Sequence, residues 1–261
     1  MIKKLLKYDL KKMTKILVIF YAISIAFAGI TRLINIGRNI QLLFILGQVF
    51  AGFTYSAIAN ILINTFIHIL KVFRDDFYKD QSYLTHTLPI KKSKLLLSKY
   101  LASLIVIISS VVVCFLSLFI IFYSPELVGT LSTLLQTVVS GFNMSVGGFV
   151  TLFVFVLFSQ ICTIISMGFT AIVKGNTYNS KRGLKSLIWF AIYYFGSMVL
   201  TLATLAIIFA INGNINILLS NTMPQSAFIT ILVVALIAYT IYTLLFYFIS
   251  NKLFNKGVNV D

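Results

Sequence analysis

Long apolar runs alternate with short charged connectors along the whole chain. Six runs are each long enough to cross a hydrocarbon core that needs about 20 helical residues. They lie near 16–36, 41–70, 95–123, 146–173, 186–211 and 227–254. Several exceed what a perpendicular helix needs, so they are expected to tilt or to continue as helix beyond the membrane. Ahead of the first run, residues 1–13 place Ile2, Leu5, Leu6, Leu10 and Met13 on one helical face and Lys3, Lys4, Lys7 and Lys11 on the other. That split predicts a helix lying in the membrane interface. A cleaved leader with Ala26-Phe27-Ala28 at its cleavage site is the rival reading. The length of the first run, and the apolar character of every later segment, favour an uncleaved span.

Composition agrees with this pattern: of 261 residues, 59% are hydrophobic and only 10% charged. The predicted fold class is an all-α membrane protein, a single transmembrane domain over 1–261. A net charge of +15 would suggest nucleic acid in a soluble domain. Here the basic residues sit in short loops as topology signals, so the lipid bilayer is the expected partner and nucleic acid is not. Nineteen Lys and Arg fall in the amino-terminal segment, the 71–99 connector, the loop after the fourth run and the tail, against only Arg32 and Arg38 on the other side. This asymmetry predicts that both termini and the 71–99 connector lie in the cytoplasm. No internal repeat or low-complexity tract interrupts the pattern. The connector 124–145 can form an amphipathic helix through Leu127, Leu131, Leu134 and Leu135, and 212–225 is a short polar loop.

Candidate chemistry is sparse. None of the six carboxylates, Asp9, Asp75, Asp76, Asp80, Glu126 and Asp261, falls inside an apolar run. A carrier driven by protons or sodium usually keeps ionisable residues near the midplane. His68 and His86 have no metal-ligand spacing around them, and Cys114 and Cys162 read as small packing residues. The segment from Gly175 to Arg182 has Ser180 where a phosphate loop needs its second glycine, and Arg182 where it needs the magnesium-binding hydroxyl. The chain is therefore expected to bind no metal or cofactor and to hydrolyse no ATP itself. Uncharged polar residues do recur at helical spacing: Ser56, Asn60 and Asn64 in the second run, Ser103, Ser110, Cys114 and Ser117 in the third, and Ser159, Thr163, Ser166 and Thr170 in the fourth. Such stripes join helices or line a path.

The longest charged interval, 71–99, is the most specific. Phe77-Tyr78-Lys79-Asp80, Tyr83-Leu84-Thr85, Thr87-Leu88-Pro89-Ile90 and Leu95-Leu96-Leu97-Ser98-Lys99 follow in order. Asp80 or Ser82 can cap a short helix that Pro89 ends, and Ser93 can cap the next span. This order resembles the first cytoplasmic loop of bacterial ATP-binding-cassette type-2 permeases, as does the layout of six spans with a basic amphipathic start. The sequence departs from the acidic-Glu-Gly-Tyr-Leu run of many relatives, reading Asp80-Gln81-Ser82-Tyr83-Leu84. The resemblance implies a short cytoplasmic coupling helix between spans two and three, docked on a separately encoded ATPase that holds ATP and magnesium. Phe77, Tyr78, Tyr83, Leu84, Thr85, His86, Leu88 and Pro89 would make or support that contact. It also implies a second permease subunit, identical or related, and export of an amphipathic or hydrophobic substrate such as a peptide, lipid or drug. Two alternatives stay open: a non-transporting sensor or immunity subunit, and a secondary transporter.

Overall fold

A computed structural model describes residues 2–37, 39–79, 82–87, 89–140, 144–211 and 225–256, and the regular structure among them is helical. In chain order α1 covers Ile2–Ile36, α2 Gln41–Tyr78, α3 Ser82–Thr87, α4 Lys92–Phe122, α5 Pro125–Ser140, α6 Val146–Gly175, α7 Arg182–Ile211 and α8 Gln225–Asn255. Six of them, α1, α2, α4, α6, α7 and α8, are long and apolar enough to cross a membrane. The chain is a multi-pass membrane protein. Helix is the expected answer in hydrocarbon, because no water is present to satisfy backbone N–H and C=O groups left open. Phe115, Phe195 and Val199 are exposed on these helices, whereas Ser103, Ser110 and Ser117 are buried. This inversion of the soluble pattern follows from a solvent as apolar as leucine.

Where the sequence predicts one transmembrane domain, contacts divide the chain into two compact units, Met1–Gly129 and Thr130–Asp261, with the division inside α5. Unit 1 packs α1, α2 and α4 together, with α3 against α2. Its helices are joined by hydroxyl pairs at successive depths. Tyr21 meets Ser110 at 2.6 Å, Ser24 meets Ser117 at 2.9 Å, and Thr31 meets Thr54 at 3.2 Å. Ser110 also meets Thr65 of α2 at 2.8 Å, so one hydroxyl ties all three spans. Unit 2 packs α6 against both α7 and α8. There Thr163 and Thr170 donate to the carbonyls of Tyr239 and Phe246, each at 2.8 Å.

Two expectations change. The amino-terminal amphipathic segment is not a separate interfacial helix, since α1 runs unbroken from Ile2 to Ile36. Nothing between Leu10 and Ile16 breaks a helix: Lys11, Lys12, Met13 and Lys15 are good helix formers, and Thr14 bonds back to the Leu10 carbonyl at 2.8 Å. Lys3, Lys4, Lys7 and Lys11 are exposed on it, as the amphipathic split requires. The second change is the start of α4. It begins at Lys92 with Lys91 in the capping position and no side-chain cap there, so Ser93 lies inside the helix. By contrast α6 begins with a true cap, the Ser145 hydroxyl accepting the Gly148 N–H at 3.1 Å. The helix α3 ends at Thr87, two residues ahead of Pro89. The loop 212–224 lies outside the described residues.

The turn between α6 and α7 depends on one glycine. A β-carbon on Gly175 would lie 2.6 Å from the Ser186 backbone nitrogen and 2.7 Å from its Cα. The two helices therefore meet backbone to side-chainless backbone. Gly175→Ala is expected to destabilise the detergent-solubilised protein by about 1–3 kcal/mol, the usual range for forced overpacking. Gly196→Ala, at a position with nothing within 4 Å, should be neutral or stabilising. Thermal unfolding of the two variants side by side checks this; equal midpoints would mean that α6 and α7 do not approach so closely.

Candidate functional site

The connector between α2 and α4 is built on the ends of both helices. Towards its end α2 buries Phe73, Asp76, Phe77 and Tyr78, and the Phe73 and Phe77 rings meet edge to face with centroids 5.0 Å apart. After Lys79 the chain turns into α3, whose first residue, Ser82, is buried and donates its N–H to the Lys79 carbonyl at 2.7 Å. Thr85 is half-buried and Thr87 exposed. Tyr83, by contrast, is 73% exposed, the one aromatic residue in the connector between Lys79 and Lys91.

Beneath the connector lies a buried ion network. Lys99 of α4, 4% exposed, places its ammonium between Asp9 of α1 and Asp76 of α2, donating to Asp9 Oδ1 at 2.6 Å and to Asp76 Oδ2. Ser98 donates to Asp9 Oδ2 at 2.6 Å, and Lys12 of α1 donates to Asp76 Oδ1. Every carboxylate oxygen of the pair therefore has a donor. Two carboxylates face two ammonium groups, so the cluster carries no formal net charge. Asp75, one position away, is half-buried and pairs instead with the exposed Lys79 at 3.2 Å.

This network alters the picture of where the carboxylates lie. Asp9, Asp75 and Asp76 are outside the apolar runs but inside the spanning helices, because α1 and α2 continue as helix past those runs. The sequence does hold a signal for Asp9. It stands four residues before Met13 and eight before Leu17, and these three are the buried positions of that part of α1. Its partners on α2 and α4 leave no local trace in sequence.

The predicted coupling residues fall into distinct places. Phe77 and Tyr78 are buried in unit 1 and can only support a contact from behind. Tyr83 and Pro89 are exposed. Leu84 and His86 lie in α3, but their side chains, like all of Leu88, are outside the described residues.

The polar stripes also separate. Ser103, Ser110, Cys114 and Ser117 are buried in unit 1, and Ser110 and Ser117 bond to neighbouring helices. Ser159, Thr163, Ser166 and Thr170 are buried along α6, where Thr163 and Thr170 bond to α8. In α2 the stripe faces outward: Ser56 and Asn60 are exposed and Asn64 half-buried, with the amides of Asn60 and Asn64 donating to carbonyls one turn back, at 3.0 and 2.9 Å.

Thr163 of these residues borders a groove of about 260 Å³ among α6, α7 and α8 in unit 2. Its other polar walls are Gln160, Tyr194, Ser197, Thr201 and Tyr239, and no charged side chain lines it. Tyr194, Ser197 and Thr201 recur at i, i+3 and i+7 of α7, a helical spacing visible in the sequence, and Gln160 is an amide in the middle of an apolar run, whereas Tyr239 stands singly on α8. Among the described residues no group of three His, Cys, Asp or Glu is placed to hold a metal.

Comparison of the chain with protein-family models, with curated proteins and with solved structures finds no match to any of them.

The network should behave as a unit. Replacing Lys99 by methionine leaves two buried carboxylates sharing one partly exposed lysine, and is expected to cost roughly 3–5 kcal/mol. Removing one carboxylate as well, in Lys99→Met/Asp9→Asn, should recover at least about 1 kcal/mol of that loss. Lys79→Ala, at the pair with Asp75, should change stability by less than about 0.5 kcal/mol. Denaturant unfolding of these proteins together with the single variant Asp9→Asn closes the cycle and measures the coupling, and strictly additive losses would show that Lys99 and Asp9 do not interact.

Proposed function

We propose that the chain is the membrane-spanning permease subunit of an ATP-driven exporter, receiving force from a separately encoded ATP-binding-cassette ATPase through the connector that carries α3. ATP and magnesium belong to the ATPase, and a second permease subunit, identical or related, completes the transporter. The observation that carries this reading is Tyr83, 73% exposed on a helix whose base is braced by buried contacts. Aromatic side chains that stand clear of a rigid support are the usual anchors of protein interfaces.

Three further features support it. The excess of Lys and Arg in the amino-terminal segment and the 71–99 connector favours a cytoplasmic position for this end of unit 1, where an ATPase resides. The connector joins α2 and α4 directly, and the ion network joins both to α1, so a push on α3 is passed to three spans. The groove of unit 2, uncharged and lined by amides, hydroxyls and apolar groups, suits an amphipathic or hydrophobic cargo.

The test is Tyr83→Asp, which puts a charge at the centre of the proposed contact. Co-purification of the ATPase from native membranes is expected to fall about tenfold or more, together with ATP-dependent flux into inverted vesicles. Association and flux at parental levels would overturn the assignment. An ATPase that stays bound without any substrate flux would favour a sensor or immunity subunit instead. Flux that survives without ATP but collapses with an ion gradient would favour a secondary transporter.

A further inference from the structure

The end of unit 1 remote from the ion network contains a cavity of about 590 Å³, enclosed by the last turns of α1, the first turns of α2 and the end of α4. Arg32, Asn35, Gln48 and Tyr55 supply its polar wall, and Phe44 and Phe122 flank it. The wall is rich in donors: a guanidinium with five N–H groups, two side-chain amides and a phenol. Among the described residues no carboxylate lines it. The arrangement is the converse of the other end of the unit, where each buried carboxylate oxygen has its own donor.

Arg32 is the centre of this wall. Among the described residues its side chain enters no hydrogen bond and no ion pair, whereas Lys12, Lys79 and Lys99 all pair with carboxylates. It stands one turn before the end of α1 at Ile36, which is also where the first apolar run closes. A cation at that depth sits at the level of lipid headgroups. Gly47 of α2 is buried under Asn35, whose Oδ1 lies 2.5 Å from where a β-carbon would be. The missing side chain lets Asn35 settle against α2 beside Arg32 and Gln48.

We infer that this cavity binds the phosphate of a membrane phospholipid, with Arg32 as the principal ligand of the phosphate oxygens and the amides of Asn35 and Gln48 as accessory donors. A guanidinium matches a phosphate bidentately, and charge-assisted bonds of this kind are about twice as strong as neutral ones. The exposed rings of Phe44 and Phe122 beside the cavity favour a lipid over free phosphate, because glycerol and acyl chains continue along them. The inference concerns the chain by itself and does not depend on an ATPase partner.

The experiment uses the purified full chain in nanodiscs containing equal amounts of phosphatidylglycerol and a galactosyl diacylglycerol with the same acyl chains. Native mass spectrometry then counts the lipids retained after release. The parent is expected to keep phosphatidylglycerol about tenfold over the phosphate-free lipid, the scale of one charge-assisted bond. Arg32→Gln should bring the two lipids to parity, Arg32→Lys should keep part of the preference, and Gln48→Leu should weaken it less than Arg32→Gln. Unchanged melting of Arg32→Gln confirms that its fold is retained, and Gln48→Leu reads the same wall with the charge in place. A preference that survives Arg32→Gln would overturn the assignment. So would displacement of phosphatidylglycerol by tens of millimolar inorganic phosphate, which would mark a free-phosphate site. A preference absent in the parent but gained in Glu126→Gln would overturn it as well, by making Glu126 the counter-ion of Arg32.

Discussion

Unit 1 depends on one buried lysine. An ammonium and two carboxylates withdrawn from water are expensive, and attraction between them compensates only when every donor and acceptor is used. Lys99 meets that condition because α1 brings Asp9, α2 brings Asp76, and Ser98 and Lys12 take the two oxygens that Lys99 does not reach. The arrangement is a constraint as much as a stabiliser. If any of the three helices slid by one turn, a buried charge would lose its partner. A hydroxyl pair such as Ser24 with Ser117 enforces register weakly, since polar contacts between membrane helices are worth on average about 0.6 kcal/mol. The ion network enforces it strongly, at the end of the unit where the connector emerges.

That division of labour explains the polar stripes. Apolar surface drives no association between helices already dissolved in lipid, so contact relies on small residues that permit close approach and hydroxyls that bond across. Ser110, shared between Tyr21 and Thr65, and Thr163, shared between Tyr239 and Thr243, are the nodes of the two units. Thr163 also borders the unit 2 groove. Packing and lining are therefore not exclusive for it, whereas Ser159, Ser166 and Thr170 lie along the packed face.

What the sequence makes legible follows from what hydropathy measures. It reports how deep a residue sits, so the six membrane-crossing helices are readable from the runs alone. It does not report where a helix ends. Residues such as Lys11, Lys12 and Lys15 continue α1 through the charged segment because they favour helix as much as leucine does. The stop before Pro89 is legible since proline acts locally on its neighbour. The partners of Lys99 are not, because positions 9, 76 and 99 are brought together only by packing three helices. In the unit 2 groove Gln160, an amide in an apolar run, and Tyr194, Ser197 and Thr201, at helical spacing on α7, do leave a trace, whereas their meeting with Tyr239 of α8 does not.

The network also bears on how such a chain can be driven. Carboxylates in spanning helices are the usual place to look for a coupling ion, and Asp9 and Asp76 do belong to spanning helices. Yet all four of their oxygens already accept from Lys99, Lys12 or Ser98. Both carboxylates are thus committed to the junction of α1, α2 and α4, with Lys99 shared between them. On the proposed permease reading, force delivered through the connector would work with that junction, because a network that resists sliding would pass displacement of α3 to three helices at once.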